Sequence, residues 1–297
     1  MKVEVREPIL ALLFLIPACI GVAALYYYPI VQTLIYSMHD LHYTLDWIKQ
    51  PATLQNYLEV LHSANFWQSF RYTVYFTVIG VSFQLLIGLG MALAAFGLSP
   101  VLRIIVRVMI VIPWVIPPII SAMIWKWLFN TDVGLIGYIL VRCGLVAYPP
   151  AFLSIPILAK HCIILADIWK WSSLMAMFLI GGLAAIPQDI YDAAEVDGAR
   201  PWFRFRKVTL PALLPTISVA VLFRSMDALR TFDIIYGLTG GGPGTATETL
   251  SSFAYKFCFE YGKFGIGSAY AMVVFLLIGI IAVLYVSRIQ GVLRFRK

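Results

Sequence analysis

Apolar positions along the 297-residue chain fall in six long runs, at roughly 8–30, 69–98, 104–128, 159–187, 208–237 and 265–288. Each supplies the ~20 residues a helix needs to cross a ~30 Å hydrocarbon layer. No charge interrupts Tyr72 to Leu102 or Phe264 to Ser287. The first run follows the basic residues Lys2 and Arg6 and lacks a small-x-small cleavage site. It reads as a retained helix, not a signal peptide. The pattern predicts an all-α polytopic membrane protein with six transmembrane helices, forming one transmembrane domain over residues 1–297. Neither an internal repeat nor a low-complexity tail is visible.

Composition narrows this further. The chain is 61% hydrophobic and 12% charged, with a mean hydropathy of +0.86, whereas soluble domains are about half apolar and about a quarter charged. That excludes a disordered chain, a coiled coil and an ordinary cytosolic enzyme. The net charge of +7 is a matter of placement. Lys2, Arg6, Arg103, Arg107, Arg200, Arg204, Arg206, Lys207, Arg288, Arg294, Arg296 and Lys297 all fall in short segments on one side of the six spans. The opposite side has fewer basic residues, spread over longer loops. By the positive-inside bias both termini are expected in the cytoplasm, and nucleic acid is not needed to explain the charge. The cysteines (Cys19, Cys143, Cys162, Cys258) are far apart and lack metal-site spacing.

Between spans four and five the chain reads IPQDIYDAAEVDGARPWFRFRKVTLPALLP. Helix formers with acids near their start favour a helix over Asp192 onward. Gly198 permits a stop and a sharp bend, and Pro201 opens a second helix. Trp202, Phe203 and Phe205 then form an apolar stripe beside Arg204, Arg206 and Lys207. A helix–bend–helix this short is suited to docking into another protein, not to catalysis.

This segment resembles the EAA loop of binding-protein-dependent ABC importer permeases, whose pattern is E-A-A-x-x-D-G-A…F-x-x-I-x-L-P. The matching residues here are Asp192, Ala193, Ala194, Asp197, Gly198, Ala199, Phe205, Val208, Leu210 and Pro211. Asp192 replaces the usual Glu, Val208 the usual Ile, and Phe203 stands where many sugar permeases have Gln. Segments 112–136, 167–187 and 229–250, the last with Leu238-Thr239 before Gly241-Gly242-Pro243, are similar to the maltose/trehalose-type sugar branch.

The resemblance implies a type I ABC importer permease in a bacterial cell membrane, carrying a sugar, with a coupling loop at 188–208. Asp192, Ala193, Ala194, Asp197, Gly198 and Ala199 would meet the ATPase. The implied partners are a second homologous permease subunit, two ATPase subunits, an extracytoplasmic sugar-binding protein and membrane lipid, without nucleic acid. No cofactor is expected on this chain, ATP and Mg being used by the partner ATPase.

Charges inside a span cost about 2.5–3.5 kcal/mol on insertion scales and need partners or an aqueous cavity. At about 100° per residue, Asp167, Lys170, Trp171 and Leu174 share one face of span four. Arg224, Asp227, Ala228 and Thr231 share one face of span five. Two readings stand open. The stripes line a substrate path, with carboxylates and guanidinium for sugar hydroxyls and Trp171 for a sugar face. Alternatively, Asp167–Lys170 and Arg224–Asp227 are i,i+3 ion pairs that neutralise each other. Arg230 and Asp233 are expected nearer the surface, bracing a loop or meeting the binding protein. Pro113, Pro117 and Pro118 make span three a candidate gate, and Trp125 and Trp127 read as interfacial belt residues.

The chain has no G-x-x-x-x-G-K-[ST] and no H-E-x-x-H or G-x-S-x-G. No catalytic or metal-ligating residue is assigned, and ATP hydrolysis belongs to another polypeptide. Two competing classes remain. One is an ion-coupled secondary transporter using the intramembrane Asp, Arg and Lys. The other is a polytopic enzyme with Asp167 or Asp227 as base.

Overall fold

The computed structural model describes residues 7–41 and 51–294. Lys2, Arg6, Lys49, Arg296 and Lys297 of the charge count lie outside the described residues. No strand occurs among the described residues. In chain order the helices are α1 (Glu7–Val22), α2 (Tyr28–Ser37), α3 (Gln55–His62), α4 (Ala64–Phe96), α5 (Pro100–Val115), α6 (Pro118–Leu128), α7 (Leu135–Arg142) and α8 (Pro156–Ala184). They continue as α9 (Gln188–Val196), α10 (Pro201–Arg204), α11 (Leu210–Leu229), α12 (Asp233–Thr239), α13 (Leu250–Tyr255) and α14 (Phe264–Arg294).

Among the described residues, five helical stretches are long and apolar enough to cross a membrane: Phe14–Ser37, Ala64–Phe96, Pro156–Ala184, Pro201–Leu229 and Phe264–Ser287. The pair α5–α6 makes the sixth, bent by 91° at its break. Three expectations change. The first span extends to Ser37 instead of ending near 30. The third is two helices, because Pro117 and Pro118 remove consecutive backbone donors. The fifth ends at Leu229, so Arg230 and Thr231 lie outside the helix expected to continue to 237, and α12 is separate.

Two of the spans contain a π-turn just before a proline. Ala23–Tyr27 precedes Pro29, and Phe205–Thr209 precedes Pro211. A proline cannot donate to the carbonyl four residues back. The backbone widens instead, so that Tyr28 N–H reaches Ala23 O and Leu210 N–H reaches Phe205 O.

The chain forms two compact units, Met1–Ser63 with Phe253–Phe275, and Ala64–Ser252 with Leu276–Lys297. In the first, Asn56 closes the end of α2. Its buried amide donates to Ser37 O at 3.0 Å and His39 O at 2.8 Å, satisfying carbonyls a helix terminus leaves open. Tyr270, buried on α14, packs against both Phe253 and Phe257 at centroid distances of 5.7 and 5.3 Å.

In the second unit, α4 and α8 run parallel along their length, with Tyr72 against Lys160, Gln84 against Asp167, and Gly88 against Met175. The seam is built from small residues. A Cβ on Gly88 would sit 2.8 Å from Met175 Cβ, and Ala92 and Ala95 are fully buried. Where aliphatic side chains gain little from leaving lipid, such close backbone approach is what packs helices together. Gly182 meets Thr216 of α11 in the same way, and Gly237 meets Ala122 of α6. Two apolar clusters form the core, one around Phe76, Ile163, Ile235 and Leu238, the other around Ala92, Leu179, Leu183 and Leu213. Along α4, α8 and α11 the polar residues Gln84, Lys170 and Arg224 fall between the two clusters. Apolar side chains such as Leu25, Val101, Val108 and Val283 stay 61–74% exposed, as a lipid-facing surface requires.

Candidate functional site

The polar residues of α4, α8 and α11 converge between the two core clusters. Arg224 is 3% exposed. Its Nε donates to Gln84 Oε1 at 2.8 Å, its Nη1 to Asp227 Oδ2 at 3.0 Å, and its Nη2 to Asp167 Oδ2. Gln84 in turn donates to Asp167 Oδ2 at 2.8 Å. The guanidinium also lies over the Trp171 ring, 4.6 Å from its centroid, a favourable cation–π position. Asp227 accepts from Arg230 through its other oxygen at 3.1 and 3.2 Å. The result is an alternating row, Asp167–Arg224–Asp227–Arg230, running from a buried carboxylate to a guanidinium that is 67% exposed. Asp167 Oδ1, buried, has no hydrogen-bond partner among the described residues.

Lys170 does not pair with Asp167 as the i,i+3 reading expected. Its ammonium donates to the carbonyls of Pro113 at 3.3 Å, Trp114 at 3.0 Å, and Ile116. The sequence explains why. In an unbroken helix the Pro113 and Trp114 carbonyls would accept from residues 117 and 118, and both are proline. The three N–H bonds of the ammonium supply what the Pro-Pro pair removes. Lys170 therefore caps the broken span at its bend.

Asp167, Lys170, Trp171, Asp227 and Thr231 all border one cavity of about 300 Å³. Arg230 and Asp233, expected nearer the surface, border it too. Leu174 and Ala228 are not among its lining residues. Ala228 is packed into the apolar core, and Leu174 is half-buried away from the cavity. Thr231 reaches the cavity from the turn after α11, not from its helical face, and its Oγ1 donates to Asp227 O at 3.2 Å. Trp125 packs on Trp169 and Phe129, while Trp127 is exposed. Sequence reasoning missed Gln84. Its signal was present, as the only amide in the chargeless run from Tyr72 to Leu102.

The loop between α8 and α11 folds as a helix, a bend and a second helix. Its first helix starts at Gln188, with Asp189 in the first turn, so Asp192 is internal and not N-terminal. Gly198 has φ +70°. Its N–H reaches Glu195 O at 2.9 Å, and Ala199 N–H reaches Ala194 O at 2.9 Å. Those two bonds define a Schellman stop, which needs the left-handed residue glycine tolerates best. Arg204 pairs with Glu195 at 3.1 Å across the bend, an exposed contact of small energetic value. Asp192, Ala193, Asp197 and Gly198 are exposed, and Ala194 and Ala199 half-buried. Around them Val196, Trp202 and Phe203 are 89%, 71% and 56% exposed.

A multi-pass helical bundle with a buried charge row bordering a cavity, and a separate exposed helical loop, defines a membrane transport component. The chain belongs to the family of binding-protein-dependent transport system inner membrane components, which it matches over residues 84–296. It is 40% identical to the trehalose/maltose transport system permease protein of Thermococcus litoralis, over 100% of this chain and 97% of that one. It is 36% identical to the sulfoquinovosyl glycerol transport system permease protein of Agrobacterium fabrum, over 97% and 92% of the two chains. Its fold matches a chain in the crystal structure of a bacterial alginate ABC transporter in complex with an alginate pentasaccharide-bound periplasmic protein. There the TM-score is 0.82 at 20% identity, covering 95% of this chain and 94% of that one.

Proposed function

We propose that this chain is the permease subunit of an ATP-driven importer of a sugar, a di- or oligosaccharide, and forms half of its translocation path. The observation that carries the reading is the cavity bordered by Asp167, Trp171, Asp227, Arg230 and Thr231. Carboxylate and guanidinium groups bond vicinal hydroxyls in pairs, and an indole packs on the apolar face of a pyranose. The near-neutral charge row suits an uncharged ligand. The names of the 40% and 36% identical relatives support a sugar or a sugar glycoside as cargo.

A second homologous permease completes the path, and an extracytoplasmic binding protein delivers the sugar. Two ATPase subunits supply energy, using ATP and Mg. Loop 188–208 is where the ATPase docks, through Asp192, Ala193, Ala194, Asp197, Gly198 and Ala199. Its exposed Val196, Trp202 and Phe203 give the dock apolar area. Both termini lie on the cytoplasmic side with that loop. The chain itself performs no hydrolysis.

Proteoliposomes containing the full assembly test this with radiolabelled trehalose and maltose. Uptake is expected only with internal ATP and added binding protein, and Thr231→Ala or Trp171→Ala should lower it several-fold at normal assembly yield. Uptake by the chain alone, driven by a proton or sodium gradient, would overturn the reading.

A further inference from the structure

A second cavity, separate from the charge row, lies at the N-terminal ends of α4 and α8. Its volume is about 750 Å³, and it is bordered by Trp67, Gln68, Arg71, Tyr75, Lys160 and His161, with no carboxylate in the lining. Arg71 is exposed and Lys160 half-buried, and neither makes an ion pair among the described residues. Lys160 sits over the Tyr72 ring, 5.4 Å from its centroid, which fixes the ammonium beside the opening. His161 is occupied on both nitrogens, by Ile157 O at 2.7 Å and the Tyr75 hydroxyl at 2.9 Å. It positions Tyr75. The parallel helices α4 and α8 both present their N-terminal, electropositive ends here.

An apolar groove adjoins this cavity and shares Arg71 and Tyr75 with it. The groove holds about 400 Å³ and continues along α4 past Phe70, Val74, Val78 and Ile79. Placing the bilayer centre at the helix midpoints puts the two cations at a matching depth. Measured from the midpoints of α4 and α8, at Gly80 and Lys170, Arg71 and Lys160 lie about 14 and about 15 Å along their axes. That is the edge of a ~30 Å hydrocarbon layer, with Trp67 one turn further out where an aromatic belt belongs.

We infer that the cavity and groove together bind one anionic phospholipid. Its phosphate is held by Arg71 and Lys160, and an acyl chain lies along Val74 and Val78. A free anion would explain the cations but not the groove, and an acidic protein partner would leave the groove facing lipid unused. The inference does not depend on which solute the chain carries.

The test uses the full-length chain, purified in the assembly it forms and placed in nanodiscs of dioleoyl-phosphatidylcholine with or without 20% dioleoyl-phosphatidylglycerol, a composition on the order of anionic native membranes. Native mass spectrometry then counts retained lipids. Phosphatidylglycerol is expected to be retained in preference to phosphatidylcholine. Each of Arg71→Gln and Lys160→Gln should lower that retention about fivefold, Arg71→Lys should restore most of it, and Val78→Asp should also reduce it. Excess glycerol 3-phosphate should fail to displace the lipid. Unchanged retention in both cation variants, displacement by glycerol 3-phosphate, or capture of a protein by a photocrosslinker at Trp67 in place of lipid would each overturn the inference.

Discussion

Lys170→Met removes the cap at the α5–α6 bend while keeping the length of the aliphatic stem. The lysine is 2% exposed and gives all three of its protons to the carbonyls of Pro113, Trp114 and Ile116. Hydrogen bonds to a charged donor contribute about 1.5–3 kcal/mol each. Simple addition overstates the loss, because one ammonium was desolvated once for all three and the cavity beside it admits water. The expected destabilisation is therefore about 3–5 kcal/mol, each stranded buried carbonyl costing about 1–3 kcal/mol with overlapping losses. Unfolding free energy of the purified protein in bicelles, measured by steric trapping, reads this directly. The second arm is a double-mutant cycle. Pro118→Ala returns an N–H to the chain where Trp114 O lacks one, so Lys170→Met with Pro118→Ala should lose at least ~1 kcal/mol less than the sum of the single changes. A Lys170→Met protein within about 0.5 kcal/mol of the unmodified one, or strict additivity in the cycle, would refute the capping argument.

Three other outcomes follow from the same geometry. Gly88→Val should destabilise by about 1–3 kcal/mol, because its Cβ would meet Met175 Cβ at 2.8 Å and Ala176 N at 3.0 Å; Gly90→Val, on the same helix with open space around it, is the control, and equal thermal stabilities would contradict the seam. Gly198→Val, at φ +70°, should cost about 1–2 kcal/mol locally and reduce co-purification of the ATPase without changing membrane insertion, whereas normal co-purification would argue against docking at this bend. Burial pushes the Cys258 thiol up to about 11, so it stays protonated at pH 8 and should react with maleimide far more slowly than exposed Cys143, the gap closing only as pH approaches 11; equal labelling at pH 8 would be contrary.

Which parts of this were readable in the chain follows from how local the causes are. Hydrophobic length alone locates the spans. Gly198 and Pro201 specify the bend of the coupling loop because a left-handed stop and a helix start are properties of a few adjacent residues. The end of α11 was not readable, since Arg230-Thr231-Phe232 contains neither glycine nor proline and the turn is secured from elsewhere, by Thr249 Oγ1 donating to Thr231 O at 3.2 Å. Lys170 was misassigned for a similar reason: its partners are carbonyls orphaned more than fifty residues upstream. Asp167 meets Arg224 across two helices instead of its own i+3 neighbour. The same geometry sets the outcome of exchanging Arg224 and Asp227. An aspartate at 224 would face Asp167, so even a purely structural charge row should fail the exchange.

We propose that this chain couples ATP hydrolysis on partner subunits to passage of a sugar. The most direct test is ATP hydrolysis by the purified assembly, with and without binding protein loaded with trehalose or maltose. Hydrolysis should rise several-fold when the loaded binding protein is added, and should lose this rise in Gly198→Pro with the ATPase still folded. A rate indifferent to the loaded binding protein, or stimulation undiminished in Gly198→Pro, would contradict it.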